Sequence, residues 1–254
     1  MPVALAALCL LLQAGGWLAD VPTDPRTTPR ILFALAEMSL LLALLWNGWR
    51  IRAFVHAQAD SSALARSTAT LVFASLLLCI GGDAINRNLG ASYYAYDDVI
   101  EHSYLADSVW FFFPGYLLFI VAAWRATAAR VPVAWRIGML AAGALAGVAT
   151  FAGLVLPGTS TYVMAMTGSY SVLISLMVPA ALWIAMAFGR PAWPVALGAA
   201  LATVADALIG QFWLFGQGWY PGIAYLNFGV YFLSQALMQQ FPPVVAAGGH
   251  AALR

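Results

Sequence analysis

Lysine is absent from this sequence, and charge of either sign is scarce. All 11 cations are arginine, set against 10 acids, for a net charge of +1. Only 8% of the residues are charged, where a soluble domain carries about 25%. So little charge excludes a basic footprint for nucleic acid. Cysteine is nearly missing too. Cys9 and Cys79 both sit in apolar runs, where thiols act as small hydrophobes, so no disulfide framework or cysteine metal site is expected. Nothing marks a serine or cysteine nucleophile. His56 and His250 fall in polar or terminal segments and are read as bystanders. What is present is hydrocarbon: 63% of the chain is hydrophobic. That composition defines an integral membrane protein, and residues 1–254 are expected to form one transmembrane domain without a separate soluble one.

Apolar stretches of about 20 residues mark spanning helices. Eight are read, at roughly 2–19, 31–49, 67–86, 105–124, 134–156, 162–188, 193–215 and 221–241. The expected fold class is therefore all-α, a polytopic bundle of eight transmembrane helices. Proline, glycine and charge punctuate the gaps, as in DVPTDPRTTPR (20–30), LPGTSTY (156–162) and GRPAW (189–193). The first stretch lacks the basic n-region and small-residue cleavage site of a signal peptide, so it is read as a span. Orientation follows from arginine. Arg50, Arg52, Arg66, Arg125, Arg130, Arg136, Arg190 and Arg254 lie on the side of the even-numbered gaps and the C-terminus. The opposite side holds Arg26, Arg30 and Arg87, offset by Asp20, Asp24, Asp97, Asp98 and Glu101. Both termini should face the cytoplasm, in the cell's inner membrane. Trp46, Trp49, Trp193, Trp219 and Tyr220 near span ends read as interfacial belts.

Against this background the few intramembrane acids stand out: Asp83 in LLLCIGGDAI, Asp206 in ALATVADALIG and Glu37 in ILFALAEMSLLLALLW. Inserting such a group costs ~2.5–3.5 kcal/mol, so the default reading is functional. A lone acid can simply hydrogen-bond a neighbouring helix, and depth is the discriminator. At a rise of ~1.5 Å per residue, Asp83 lies ~24 Å from Ser67 and Asp206 ~20 Å from Trp193. By the same rise Glu37 is ~10 Å below Arg30, and Tyr231 ~16 Å below Tyr220. All four fall in overlapping layers at or beyond the midplane of a ~30 Å core, whichever way the protein is inserted. A second polar cluster, DDVIEH, places Asp97, Asp98, Glu101 and His102 close together. A helix there would put hard ligands on one face, but a solvated acidic loop is the commoner arrangement. No metal or cofactor is expected.

At these residues the chain resembles the YhhN-like lysoplasmalogenase family of eight-helix membrane proteins. SLLLCIGGD (75–83) resembles its SLLGD block, and FFPGYLLFIVAA (112–123) its aromatic–x–x–Gly–His–x–x–aromatic block. GAALATVADALIG (198–210) resembles its GALLFxxSDxxLA helix, and YFLSQAL (231–237) its final TYxxAQ helix. The blocks keep their order across about residues 67–240. The resemblance implies that Asp83 and Asp206 are the family's two acids, with Tyr231 and Gln235 as its last-helix pair. Tyr116 stands where the family has histidine, and Ala205 where it has serine. A proline, Pro114, precedes Gly115, and the 86–102 loop is long and acidic.

The activity implied is hydrolysis of the vinyl ether bond of a lysoplasmalogen, giving a fatty aldehyde and a glycerophospho-alcohol. Enol ethers hydrolyse through protonation at carbon, forming an oxocarbenium ion that water captures. That needs one neutral carboxyl and one ionised carboxylate, and two carboxyls in unlike surroundings can divide those roles. Asp206, in the more apolar setting, is the candidate acid. Asp83, with Asn86 and Asn88 beside it, is the candidate base. Tyr231, Gln235, Glu37, Tyr116 and Asn86 are candidates to orient water or substrate. The expected partners are a single-chain lysophospholipid and the bilayer, with no protein partner. Two other classes compete. Intramembrane acids also mark ion paths in proton-coupled transporters, though no internal repeat of the transporter kind is evident. The third class is a non-catalytic lipid-binding or sensory domain.

Overall fold

A computed structural model describes residues 28–86, 104–155, 157–210 and 222–251, with side chains over 38–86, 105–155, 157–210 and 227–248. Regular structure among the described residues is entirely helical. In chain order the helices are α1 (Thr28–Ala57), α2 (Ala63–Asn86), α3 (Tyr104–Thr127), α4 (Val133–Leu154), α5 (Thr161–Ser175), α6 (Met177–Phe188), α7 (Trp193–Leu208), α8 (Gly222–Met238) and α9 (Phe241–Ala251). Among the described residues five stretches are long and apolar enough to cross a membrane: α2, residues Leu105–Thr127 of α3, α4, α5 with α6, and Arg190–Leu208 through α7. They correspond to the third to seventh expected spans. The expected first span and the 86–102 loop, DDVIEH included, lie outside the described residues.

Several boundaries differ from expectation, each for a physical reason. α1 does not stop at residue 49 but runs through RIRAFVHA to Ala57. No glycine or proline interrupts that segment, and its polar groups find partners on α2. His56 Nε2 pairs with Thr70 Oγ1 at 3.1 Å, and the Arg52 guanidinium lies 5.9 Å from the Phe73 ring. Charge alone does not end a helix. The stretch expected as a single sixth helix is broken between Ser175 and Met177. Pro179 has no N–H to offer the carbonyl four residues back, so the ladder fails there. The last expected span ends at Met238, and a further helix, α9, follows a two-residue turn. Its sequence begins FPP, and prolines in a first turn lose nothing, because those N–H groups have no intrahelical acceptor.

Caps fix the remaining ends. Ser160 Oγ accepts from the Val163 N–H at 3.2 Å and starts α5. Gly189 closes α6 at φ 66°, a conformation that costs any residue with a Cβ.

The closest helix pairs are α2 with α3 and α7 with α8. Small residues permit this approach. A Cβ built on Gly82 of α2 would lie 2.7 Å from the Phe112 ring of α3. One on Gly198 of α7 would lie 2.7 Å from Leu237 Cβ and 2.9 Å from the Ser234 carbonyl of α8. The backbones of α2 and α3 scarcely approach that of α8, so a seam separates the two pairs, bridged by long side chains. Buried Tyr116, Phe119, Trp183, Phe232 and Phe241 fill the core around it. By contrast α4 packs mainly on α5 and leaves Trp135, Ile137, Leu145 and Val148 exposed, as a lipid-facing helix does.

Candidate active site

Where the seam reaches one end of the bundle it opens into a cavity of about 50 Å³. Four helices wall it. The C-terminal turns of α2 supply Asp83 and Asn86, and α3 supplies Leu105 and Phe112. The last turn of α7 gives Ala205, Asp206 and Ile209, and α8 gives Asn227, Phe228 and Tyr231. The antiparallel run of these helices brings the end of α2 and α7 to the start of α3 and α8. α7 widens into π-type geometry at Ile209–Gly210, immediately after Asp206. Such widened turns recur at functional sites.

The two carboxyls sit in different hydrogen-bonding settings. Asp83 is 3% exposed, and the Tyr231 hydroxyl donates to its Oδ2 at 2.6 Å. One Asp83 oxygen is thereby committed across the seam, from α2 to α8. Asp206 Oδ2 is buried with no hydrogen-bond partner among the described residues. The phenols of Tyr116 and Tyr170 are turned towards the Asp206 carboxyl, and Tyr170 Oη is likewise buried without a partner. Tyr116 accepts a hydrogen bond from Gln235 Nε2 at 3.4 Å. Two further orphans face the same space, Asn86 Oδ1 and Asn227 Oδ1. Unpaired buried polar atoms are rare in folded proteins, and a cluster of them marks a place built for something other than packing.

Aromatic rings hold this arrangement in place. Phe112 is the hub, 6.3 Å from Tyr116, 6.4 Å from Tyr170 and 6.1 Å from Tyr231 between ring centroids. Tyr116 and Tyr170 are 6.3 Å apart, and Phe228 lies 6.4 Å from Tyr231. The ring set fixes where the phenol oxygens point, since a tyrosine has only two side-chain torsions to settle.

Of the residues singled out from the sequence, Asp83, Asp206, Tyr231 and Asn86 line the cavity. Tyr116 and Gln235 lie beside it as a hydrogen-bonded pair. The Tyr116 hydroxyl faces Asp206. Glu37 is in α1, but its side chain lies outside the described residues, as does Asn88. No group of three or more His, Cys, Asp or Glu side chains could hold a metal among the described residues.

Sequence reasoning missed Tyr170, Asn227 and the hub Phe112. It also missed Gln239, whose Oε1 accepts from Asn47 Nδ2 at 3.0 Å. The Gln239 signal was available. Tyr231 and Gln235 on α8 and Gln239 just past its end recur every four residues, and the Gln239 N–H still donates to the Gln235 carbonyl at 3.3 Å, which continues one polar helix face.

No curated protein and no solved structure matches this chain. A family match does exist. The model of the YhhN family covers residues 29–240, a stretch that contains all four helices walling the cavity, and the chain belongs to that family.

Proposed function

We propose that this protein is a membrane-embedded hydrolase that cleaves the vinyl ether bond of lysoplasmalogen-like lysolipids. The products would be a fatty aldehyde and a glycerophospho-alcohol. The observation that carries the reading is the pair of carboxyls facing one cavity, Asp83 tied to a tyrosine and Asp206 with an oxygen to spare. Asp206, as the neutral acid, gives its proton to the vinyl carbon remote from the ether oxygen. The adjacent carbon becomes an oxocarbenium centre. Asp83, as carboxylate, takes a proton from water as its oxygen adds to that centre, leaving a hemiacetal. In the second half the Asp206 carboxylate removes the hemiacetal hydroxyl proton, and Asp83 returns its proton to the ether oxygen. The C–O bond breaks, aldehyde and alcohol leave, and both carboxyls regain their starting protonation.

The surroundings suit this sequence. Asn86 Oδ1 and Asn227 Oδ1 are acceptors, which stabilise a developing cation and hold a water by its hydrogens. A cavity of about 50 Å³ holds a few waters, or the reacting bond with its water, at ~10–15 Å³ each. The alkenyl chain and headgroup would extend beyond it. The same proposal places the protein in the inner membrane with eight spans, both termini cytoplasmic and the cavity towards the outer leaflet, on the strength of the arginine distribution.

The test is direct. Purified protein in detergent is incubated with a lysoplasmalogen, and fatty aldehyde is measured, with an ester-linked lysolipid of equal chain length as control. Aldehyde from the vinyl ether alone is expected, abolished by Asp206→Asn. A folded protein that releases no aldehyde refutes the proposal.

A further inference from the structure

One polar group beside the cavity has no part in the scheme above. Tyr170 comes from α5, outside the four helices that wall the cavity. Its ring is packed on Phe112 and Tyr116. Its hydroxyl is buried and turned to the Asp206 carboxyl, and among the described residues neither it nor Asp206 Oδ2 makes a hydrogen bond of regular geometry. Burying a phenol with no hydrogen bond is costly. Phenylalanine would serve the packing equally well, so the hydroxyl needs another explanation.

We infer that Tyr170 is a positioning residue for Asp206, its hydroxyl placed to donate to the carboxylate left when Asp206 gives up its proton. The inference rests on the hydrolase reading for its chemistry. A neutral carboxyl that aims its own proton at a substrate needs no second donor. Once the proton has gone, both carboxylate oxygens are acceptors in a site with little water. A fixed O–H already beside them stabilises that charge without reorganisation. The contact is worth more in the transition state than in the ground state, which is the condition for accelerating the step. Tyr116, whose oxygen accepts from Gln235, has a single O–H and can serve only one acceptor position, whereas the carboxylate offers two oxygens. The chain thus surrounds its acid with two phenols and its base with one, and the asymmetry matches their roles.

Tyr170→Phe tests this, since it keeps the ring and removes one oxygen. Two readouts are taken. In kinetics on a lysoplasmalogen, kcat is expected to fall ~10-fold or more, with KM little changed, because loss of a preorganised donor acts on the chemical step. In infrared difference spectra, the bands lost in Asp206→Asn identify the Asp206 carboxyl, whether as acid or carboxylate. Those bands are expected to shift in frequency in Tyr170→Phe. The spectrum needs no turnover, so it reports on the contact even if the substrate is something else. Asp206 bands that stay unmoved in Tyr170→Phe overturn the inference, and so does an unchanged kcat. A wild-type protein with no aldehyde release but shifted bands would overturn only the hydrolase reading.

Discussion

At the level of single residues, the two acids are not equivalent, and their replacement should show it. Asp206→Asn keeps the shape but cannot deliver a proton. Turnover should fall about 10²–10⁴-fold, the usual contribution of a general acid or base. Thermal unfolding in detergent should be less altered than in Asp83→Asn, because Asp206 Oδ2 has no hydrogen-bond partner among the described residues. Asp83→Asn should cut activity comparably but also lower stability. It disturbs a 2.6 Å bond to Tyr231 at a site 3% exposed, where spoiling one partner costs about 1–3 kcal/mol. Equal stability of the two variants would contradict the assigned contacts. Tyr116 tests the departure from the family's histidine. Tyr116→Phe removes the acceptor for Gln235 and a phenol facing Asp206, so activity should drop. Tyr116→His should retain more activity than Phe and add a titration to the pH–rate profile between about pH 5 and 8. Identical rates and pH profiles in both variants would leave the position a matter of packing. Why Tyr116 was found from sequence and Tyr170 was not has a simple cause. Tyr116 lies in a recognisable block, whereas one tyrosine in an apolar span looks like any core aromatic until its oxygen is seen to lack a partner.

The elements set the geometry that those residues use, and glycine decides how close the helices come. Asp206 and Tyr231 ride on α7 and α8, which meet at Gly198. In Gly198→Ala the new Cβ meets the Ser234 carbonyl at 2.9 Å, a backbone atom that cannot swing aside. The helices must part, at a cost of about 1–3 kcal/mol. Their separation displaces the two site residues from each other, so activity should fall more than the loss of folded protein explains. Gly153→Ala in α4 is the matched control. Nothing lies within 4 Å of its Cβ, and alanine within a helix is favoured by about 0.5–1 kcal/mol. Its melting temperature should hold or rise, with activity intact. Helix ends were less legible than helix existence. The rise per residue makes depth readable from sequence, which is how Asp83, Asp206 and Tyr231 could be placed in one layer. Whether Arg50 or Pro242 ends a helix depends on partners no local pattern contains. α1 continues because α2 meets its polar groups, and α9 starts at prolines that elsewhere in a helix would break it.

Over the whole molecule, hydrogen bonds sort the helix ends into two groups, and this gives the arginine argument a structural handle. At one end Tyr162, at the start of α5, donates to Asp107 Oδ1 near the start of α3 at 2.5 Å. Both lie at the end of the bundle that holds the cavity. At the other end Arg130 donates to the Ala187 and Gly248 carbonyls at 3.1 and 2.8 Å, tying the last turns of α6 and α9. Its guanidinium also lies 4.4 Å from the Phe188 ring. Arg136 donates to the Trp124 carbonyl at 2.9 Å. These arginines cover helix C-termini, where exposed carbonyls and the helix dipole favour cations. Their placement therefore has a folding cause as well as a topological one, and labelling separates the two. Topology requires the 128–131 turn on the cytoplasmic side and the 157–160 turn, near the cavity, on the far side. A cysteine in each turn, Ala129→Cys and Pro157→Cys, both at exposed positions, can be probed with a membrane-impermeant thiol reagent in sealed vesicles of known orientation, with Cys9 replaced. Cys79 is fully buried and silent. Ala129→Cys should label only in inverted vesicles and Pro157→Cys only in right-side-out ones. The reverse pattern would keep the cavity and its chemistry but open it to the opposite leaflet, and the arginines would then be helix caps alone.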